Sequence, residues 1–81
     1  MLPRVYFDTN EDAAGPDGWE YGLWLGASQR DLAAIPGGPK DGTRVVIYMT
    51  GELEMEAVLR RDPESGDWLA NPVPGTIKHY Y

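Results

Sequence analysis

Cysteine is absent from this 81-residue chain. That absence excludes a disulfide framework, a thiolate zinc site and a cysteine nucleophile. No stretch approaches the roughly 20 apolar residues that a membrane helix needs. Nor does an apolar run follow the opening Met1-Leu2-Pro3-Arg4, so neither a membrane span nor a secretory signal is expected, and the expected compartment is the cytoplasm. Bases are scarce: seven Lys and Arg stand against thirteen Asp and Glu, for a net charge of −6. Phosphate backbones are bound by clustered Lys and Arg, and Arg60-Arg61 is the one adjacent pair, so nucleic acid is not an expected partner. Histidine occurs once, at His79, with no second His or Cys with which to chelate a metal.

What is present is patterned. Glu52-Leu53-Glu54-Met55-Glu56-Ala57 alternates acid and apolar residue by residue. Successive strand side chains point to opposite faces, so Leu53, Met55, Ala57 and Leu59 face one way and the three glutamates the other, as in a sheet with one dry face. A three-residue loop sets Met49, Ile47 and Val45 opposite Leu53, Met55 and Ala57 and unites the apolar sets. A two-residue loop would put Val45 and Ile47 beside the glutamates, because a one-residue slip exchanges the faces. Asp62-Pro63-Glu64-Ser65-Gly66-Asp67 is a turn, with proline presetting φ at its start and Gly66 free to take the left-handed conformation at its exit. Pairing Asp62 with Asp67 puts Arg61 opposite Trp68, where the guanidinium could lie over the indole.

The rest of residues 1–81 reads as part of the same single domain, which buries only about 60% of its unfolded surface at this length. Arg4 to Asp8 is a first strand, Thr9 to Gly18 an acidic loop, and Trp19 to Leu25 a second strand thinned at Gly22, which suits a bulge or bend. Ser28-Gln29-Arg30-Asp31-Leu32 has the form of a capping box, starting a short helical turn near residues 28–35 that Pro36 and Gly37-Gly38-Pro39 end. Pro72 and Pro74 break the strand after Trp68, and Thr76 to Tyr80 forms a last one. The expected fold is mostly β: five short strands bent into a small barrel, with one helical turn.

Three fragments resemble SH3 domains. Val5-Tyr6-Phe7-Asp8 before an acidic loop is similar to their Ala-Leu-Tyr-Asp-Tyr opening, Gly66-Asp67-Trp68-Leu69-Ala70 to their Gly-Asp-Trp-Trp-Leu-Ala strand, and Gly75-Thr76-Ile77 running to Tyr80 to their Gly-Tyr-Ile-Pro-Ser-Asn-Tyr ending. The chain departs from the family in its single tryptophan at Trp68, in Lys78 after Ile77, and in the additional hairpin Met49 to Arg61. The resemblance implies an SH3-like five-stranded small barrel with a peptide groove at Tyr6, Trp68 and Tyr80. Beside it would lie the acidic loop of Glu11, Asp12 and Asp17, selecting proline-rich ligands with a nearby Arg or Lys.

The other motifs fail on spacing. Asp8-Thr9-Asn10-Glu11-Asp12 begins like a calcium loop, but Ala13 stands where the turn glycine belongs and Trp19 where the bidentate acid belongs. Glu52, Glu54 and Glu56 have carboxylate spacing without surroundings that would raise a pKa. Gly37 to Thr43 leads into a strand, whereas a phosphate loop leads into a helix. Gly26-Ala27-Ser28 lacks the second glycine of a nucleophile elbow, with Arg30 in its place. No catalysis, metal or cofactor is expected. The chain reads as an acidic protein- or peptide-binding module for basic or proline-containing segments. The alternative is a structural or accessory subunit that homodimerises, or joins a larger assembly, through an aromatic face.

Overall fold

The computed structural model describes residues 1–15 and 18–80. Among the described residues there are seven strands: β1 (Arg4–Tyr6), β2 (Asp12–Gly15), β3 (Gly18–Gly22), β4 (Arg44–Met49), β5 (Leu53–Arg61), β6 (Trp68–Pro72) and β7 (Lys78–His79). A 3-10 turn (Thr9–Glu11) precedes β2, and the helix α1 (Gly26–Ala33) separates β3 from β4. Six strands form one mixed sheet in the order β1-β4-β5-β6-β3-β2, and β7 pairs with β5 beside β6. Among the described residues, no helix is long and apolar enough to cross a membrane.

The central meander follows the apolar pattern. Val45, Ile47 and Met49 pair with Ala57, Met55 and Leu53. Gly51, at φ 73, takes the left-handed position of the connecting turn, which Glu52 N–H closes on the Met49 carbonyl at 3.0 Å. Arg61 pairs with Trp68 and Leu59 with Ala70. Around the Asp62–Asp67 turn, the Asp62 carboxylate accepts from Glu64 N–H and from the Ser65 hydroxyl. The Arg61 guanidinium does not stack on Trp68 as expected; it donates to the Gly66 carbonyl at 3.3 Å, a fixed acceptor one turn away.

The sheet is not closed into a barrel, although it must curl. Six strands spaced about 4.8 Å apart would hold the edges of a flat sheet roughly 24 Å apart. Yet β1 and β2, the two edges, are joined by residues 7–11. With three of those residues in a 3-10 turn, the link reaches only about 16 Å. Phe7 packs across the gap against Tyr21, their rings 4.9 Å apart. On the inner face the core gathers Val5, Phe7, Leu23, Val45, Ile47 and Leu59, with Leu32 and Ile35 of the helical segment.

β1 joins the sheet parallel to β4, Val5 against Ile47, which no local pattern specifies. Three other expectations need correction. The expected acidic loop contains a strand, because Asp12 to Gly15 pairs with β3 from Tyr21 to Gly18. The C-terminal strand shrinks to two residues, since the Thr76 hydroxyl donates to the Val73 carbonyl and accepts from Glu56 N–H in place of a ladder. The capping box does not form either: α1 begins after Leu25 with no side-chain cap. Its Ser28 hydroxyl instead donates to the Tyr6 carbonyl at 2.5 Å, while Tyr6 N–H donates to Asp31 Oδ2 at 2.9 Å. An edge strand leaves such groups unpaired, and two helix side chains cover them here.

Candidate functional site

Strand parity puts Glu20, Gly22, Leu69, Arg60, Val58 and Asn71 on the outer face, away from the main core. The outer face nevertheless has an interior of its own. Leu69 is buried there, outside the main core cluster, and Glu20 is only 1% exposed. A carboxylate so far from water requires a cation and well-formed hydrogen bonds. Arg60 supplies both, donating from Nε to Oε2 at 3.0 Å and from Nη2 to Oε1 at 2.9 Å. This forked geometry suits guanidinium and carboxylate.

Two glycines make the room. A Cβ at Gly15 would collide with the Glu20 carboxylate, and one at Gly22 would collide with the Trp24 indole. Gly22 pairs with Leu69, and its missing side chain seats the ring. Trp24 Nε1 in turn donates to Glu11 Oε2 at 2.8 Å, fastening the 3-10 turn to the edge of this second interior.

Beside the ion pair runs a groove of about 280 Å³, lined by Glu20, Val58, Arg60, Asn71, Val73 and Pro74 among others. Its floor is β5 and β6, and one wall is the irregular link after Pro72. That link holds three residues more than a regular strand would, as the register against β5 shows on passing from Ala57–Pro72 to Glu54–Lys78.

Further along the same face stands a group of rings and charges. Tyr6 and Tyr48 meet edge to face with centroids 5.8 Å apart, and the Arg4 guanidinium lies 4.9 Å from the Tyr48 centroid. Arg4 also pairs with Glu54 at 3.3 Å, and Arg44 with Glu56 at 2.7 Å. Glu54 and Glu56 are thus half-covered by arginines, whereas Glu52 is exposed. Tyr80, 56% exposed, donates its hydroxyl to Glu54. That hydrogen bond, aided by Arg4, holds the Glu54 carboxyl below its ordinary range, and the same bond raises the Tyr80 phenol against the opposing pull of Arg4. Tyr48 donates to Asp31 Oδ2 at 2.9 Å, and this bond, aided by burial, raises its phenol as well.

Of the residues expected to bind ligand, Tyr6 and Tyr80 share the outer face. Trp68 faces the other way, packed against the main core, because its partner Arg61 has the parity of Leu59. The three rings therefore do not form one ridge. Glu11 is held by Trp24, Asp12 is exposed at the start of β2, and Asp17 lies outside the described residues. In the segment read against a calcium loop, Asp8 accepts from Asn10 N–H as the cap of the 3-10 turn. Sequence reasoning missed Glu20, Arg60 and the groove; Gly15 and Gly22 at positions facing neighbouring side chains were the available signals. Comparison with protein-family models, with curated proteins and with solved structures found no match.

Proposed function

We propose that this chain is a non-catalytic protein- or peptide-binding module that takes a basic, proline-containing segment on the outer face of its sheet. The observation that carries the reading is the 280 Å³ groove with Val58, Pro72, Val73 and Pro74 in its lining. Extended proline-rich segments have little conformational freedom to lose, so a trough with such apolar lining is a favourable seat. The net charge of −6 draws basic ligands, and the attraction is screened within about 8 Å at physiological ionic strength. The curled sheet is read here as an open relative of the SH3-like small barrel, on the support of its two hairpin registers.

Titration calorimetry with a proline-rich basic peptide at two salt concentrations tests the proposal. Weak binding that falls with salt, and that Val58→Glu abolishes without lowering the melting temperature, is the expected result. Equal binding by wild type and variant, or no binding at all, contradicts it. One observation favours the second reading, an accessory subunit that joins a copy of itself: Trp19 is 54% exposed. A dimer at micromolar concentration in light scattering, lost in Trp19→Ala, would make that reading the better one.

A further inference from the structure

The groove of the outer face is short of hydrogen-bond donors. Its link wall runs Pro72-Val73-Pro74, and proline carries no N–H. Val73 gives its N–H to the Glu56 carbonyl at 2.9 Å. On the floor, Val58 and Asn71 pair with each other in the β5–β6 ladder. Among the described residues, three polar side chains line the groove: Glu20, Arg60 and Asn71. Glu20 and Arg60 hold each other through both carboxylate oxygens. Asn71 shares the strand parity of Leu69, so its side chain is on the outer face. It is half-buried, and among the described residues none holds its carboxamide by a hydrogen bond.

We propose that Asn71 is the specificity-determining residue of this groove. Its carboxamide pairs with the main chain of the bound segment, Nδ2 donating to a carbonyl and Oδ1 accepting from an N–H. The inference rests on the groove being the binding site. An extended proline-containing segment has no internal hydrogen bonds, and water satisfies its carbonyls. A surface that displaces that water must return a donor, or the covered carbonyl is left unpaired. The proline wall has none to return. Turning the Arg60 fork toward a ligand would strip Glu20, which is 1% exposed, of its cation. Asn71 can donate without breaking any bond of the fold, and its Oδ1 accepts an N–H that only a non-proline residue supplies. The ligand class is thereby narrowed. It carries a non-proline residue facing Asn71, with its prolines against the apolar Val58, Val73 and Pro74.

The test is titration calorimetry of the full chain with the proline-rich basic peptide, each variant's fold being checked by its spectrum and melting temperature. Asn71→Leu keeps the bulk and removes the carboxamide, and it should weaken binding about fivefold. Asn71→Asp removes the donor and adds a negative charge, so donor loss and charge attraction pull apart: the first weakens binding of a basic peptide, the second tightens it. Weaker binding is the expected result. On the ligand side, replacing one non-proline amide by an ester removes one N–H and weakens one carbonyl as an acceptor. One such ester should weaken binding to wild type and change it little in Asn71→Leu, a coupling that a merely structural role would not produce. Unchanged affinity in Asn71→Leu, tighter binding in Asn71→Asp, or ester losses equal in both proteins would overturn the inference. The groove reading itself survives those results if Val58→Glu still abolishes binding. Binding that Val58→Glu leaves intact, or no binding to wild type, would overturn that reading and this inference with it.

Discussion

Two hairpins of one sheet use side-chain alternation in opposite ways. In β4–β5, apolar residues turn inward and acids outward: Ile47 is fully buried and Glu52 exposed. In β2–β3 the order is reversed, with Trp19 more than half exposed and Glu20 the most deeply buried acid of the described chain. Both obey the same two-residue period. The difference lies in what covers each face. Over β4–β5 the outer face is covered by long arginines and a tyrosine, whereas Glu20 is met by the forked Arg60 guanidinium and by the close-approaching Gly15. Alternation assigns a side chain to a face, and the tertiary cover decides whether that face is wet.

That comparison can be broken by substitution. Ile47→Ala should have the largest effect, about 4 kcal/mol, for a fully buried branched side chain. Glu20→Ala should cost about 3 kcal/mol, because it leaves the Arg60 guanidinium half-buried without its carboxylate. A double-mutant cycle with Arg60→Met measures the coupling directly. Trp19→Ala, by contrast, should cost under about 1 kcal/mol despite removing the largest side chain type. Urea unfolding of the three variants would contradict the inversion if Trp19→Ala proved costlier than Glu20→Ala.

The smallest expected effects are those of pH. Glu54 is held below its ordinary value, so its share of stability is complete above the pKa of an unfolded glutamate. It fades as pH falls through the lower folded value. Tyr80→Phe removes the main cause and should flatten that acid limb. Tyr48 is raised by its bond to Asp31, so its share is complete below the pKa of an unfolded tyrosine and is lost as pH rises through the higher folded value. Urea midpoints across pH, with absorbance titration of the phenols, read both limbs; a Tyr48 phenol ionising at or below the ordinary tyrosine pKa would contradict the second.

The central meander was legible because acid and apolar residues alternate from Glu52 to Ala57, and one register of the hairpin then keeps Val45 and Ile47 inside. The Asp62–Asp67 turn was legible because proline and glycine sit where a turn requires them. The edges were not. β2 is short and small-residued, and its strand form comes from the partner β3. The roles of Ser28 and Asp31 depend on β1 arriving beside α1 across separations of 22 and 25 residues, which nothing local to the helix can signal.

Candidate residues divide the same way. Tyr6 and Tyr80 reach a shared face through strand parity, whereas Trp68 is turned inward by the parity of the very hairpin that the sequence specified. Glu20 gave no sign of burial in a strand flanked by aromatics, since its cover comes from Arg60 of β5 and from Gly15 of β2.

The central claim, that the outer face around Glu20 and Arg60 is where this protein meets a partner, is tested most directly by amide-detected NMR titration of the full chain with a proline-rich basic peptide. The account predicts shifts concentrated on Val58, Arg60, Asn71 and Val73, with Val5 and Ile47 unmoved. Shifts centred on Trp19 or Trp68, with the groove silent, would contradict it.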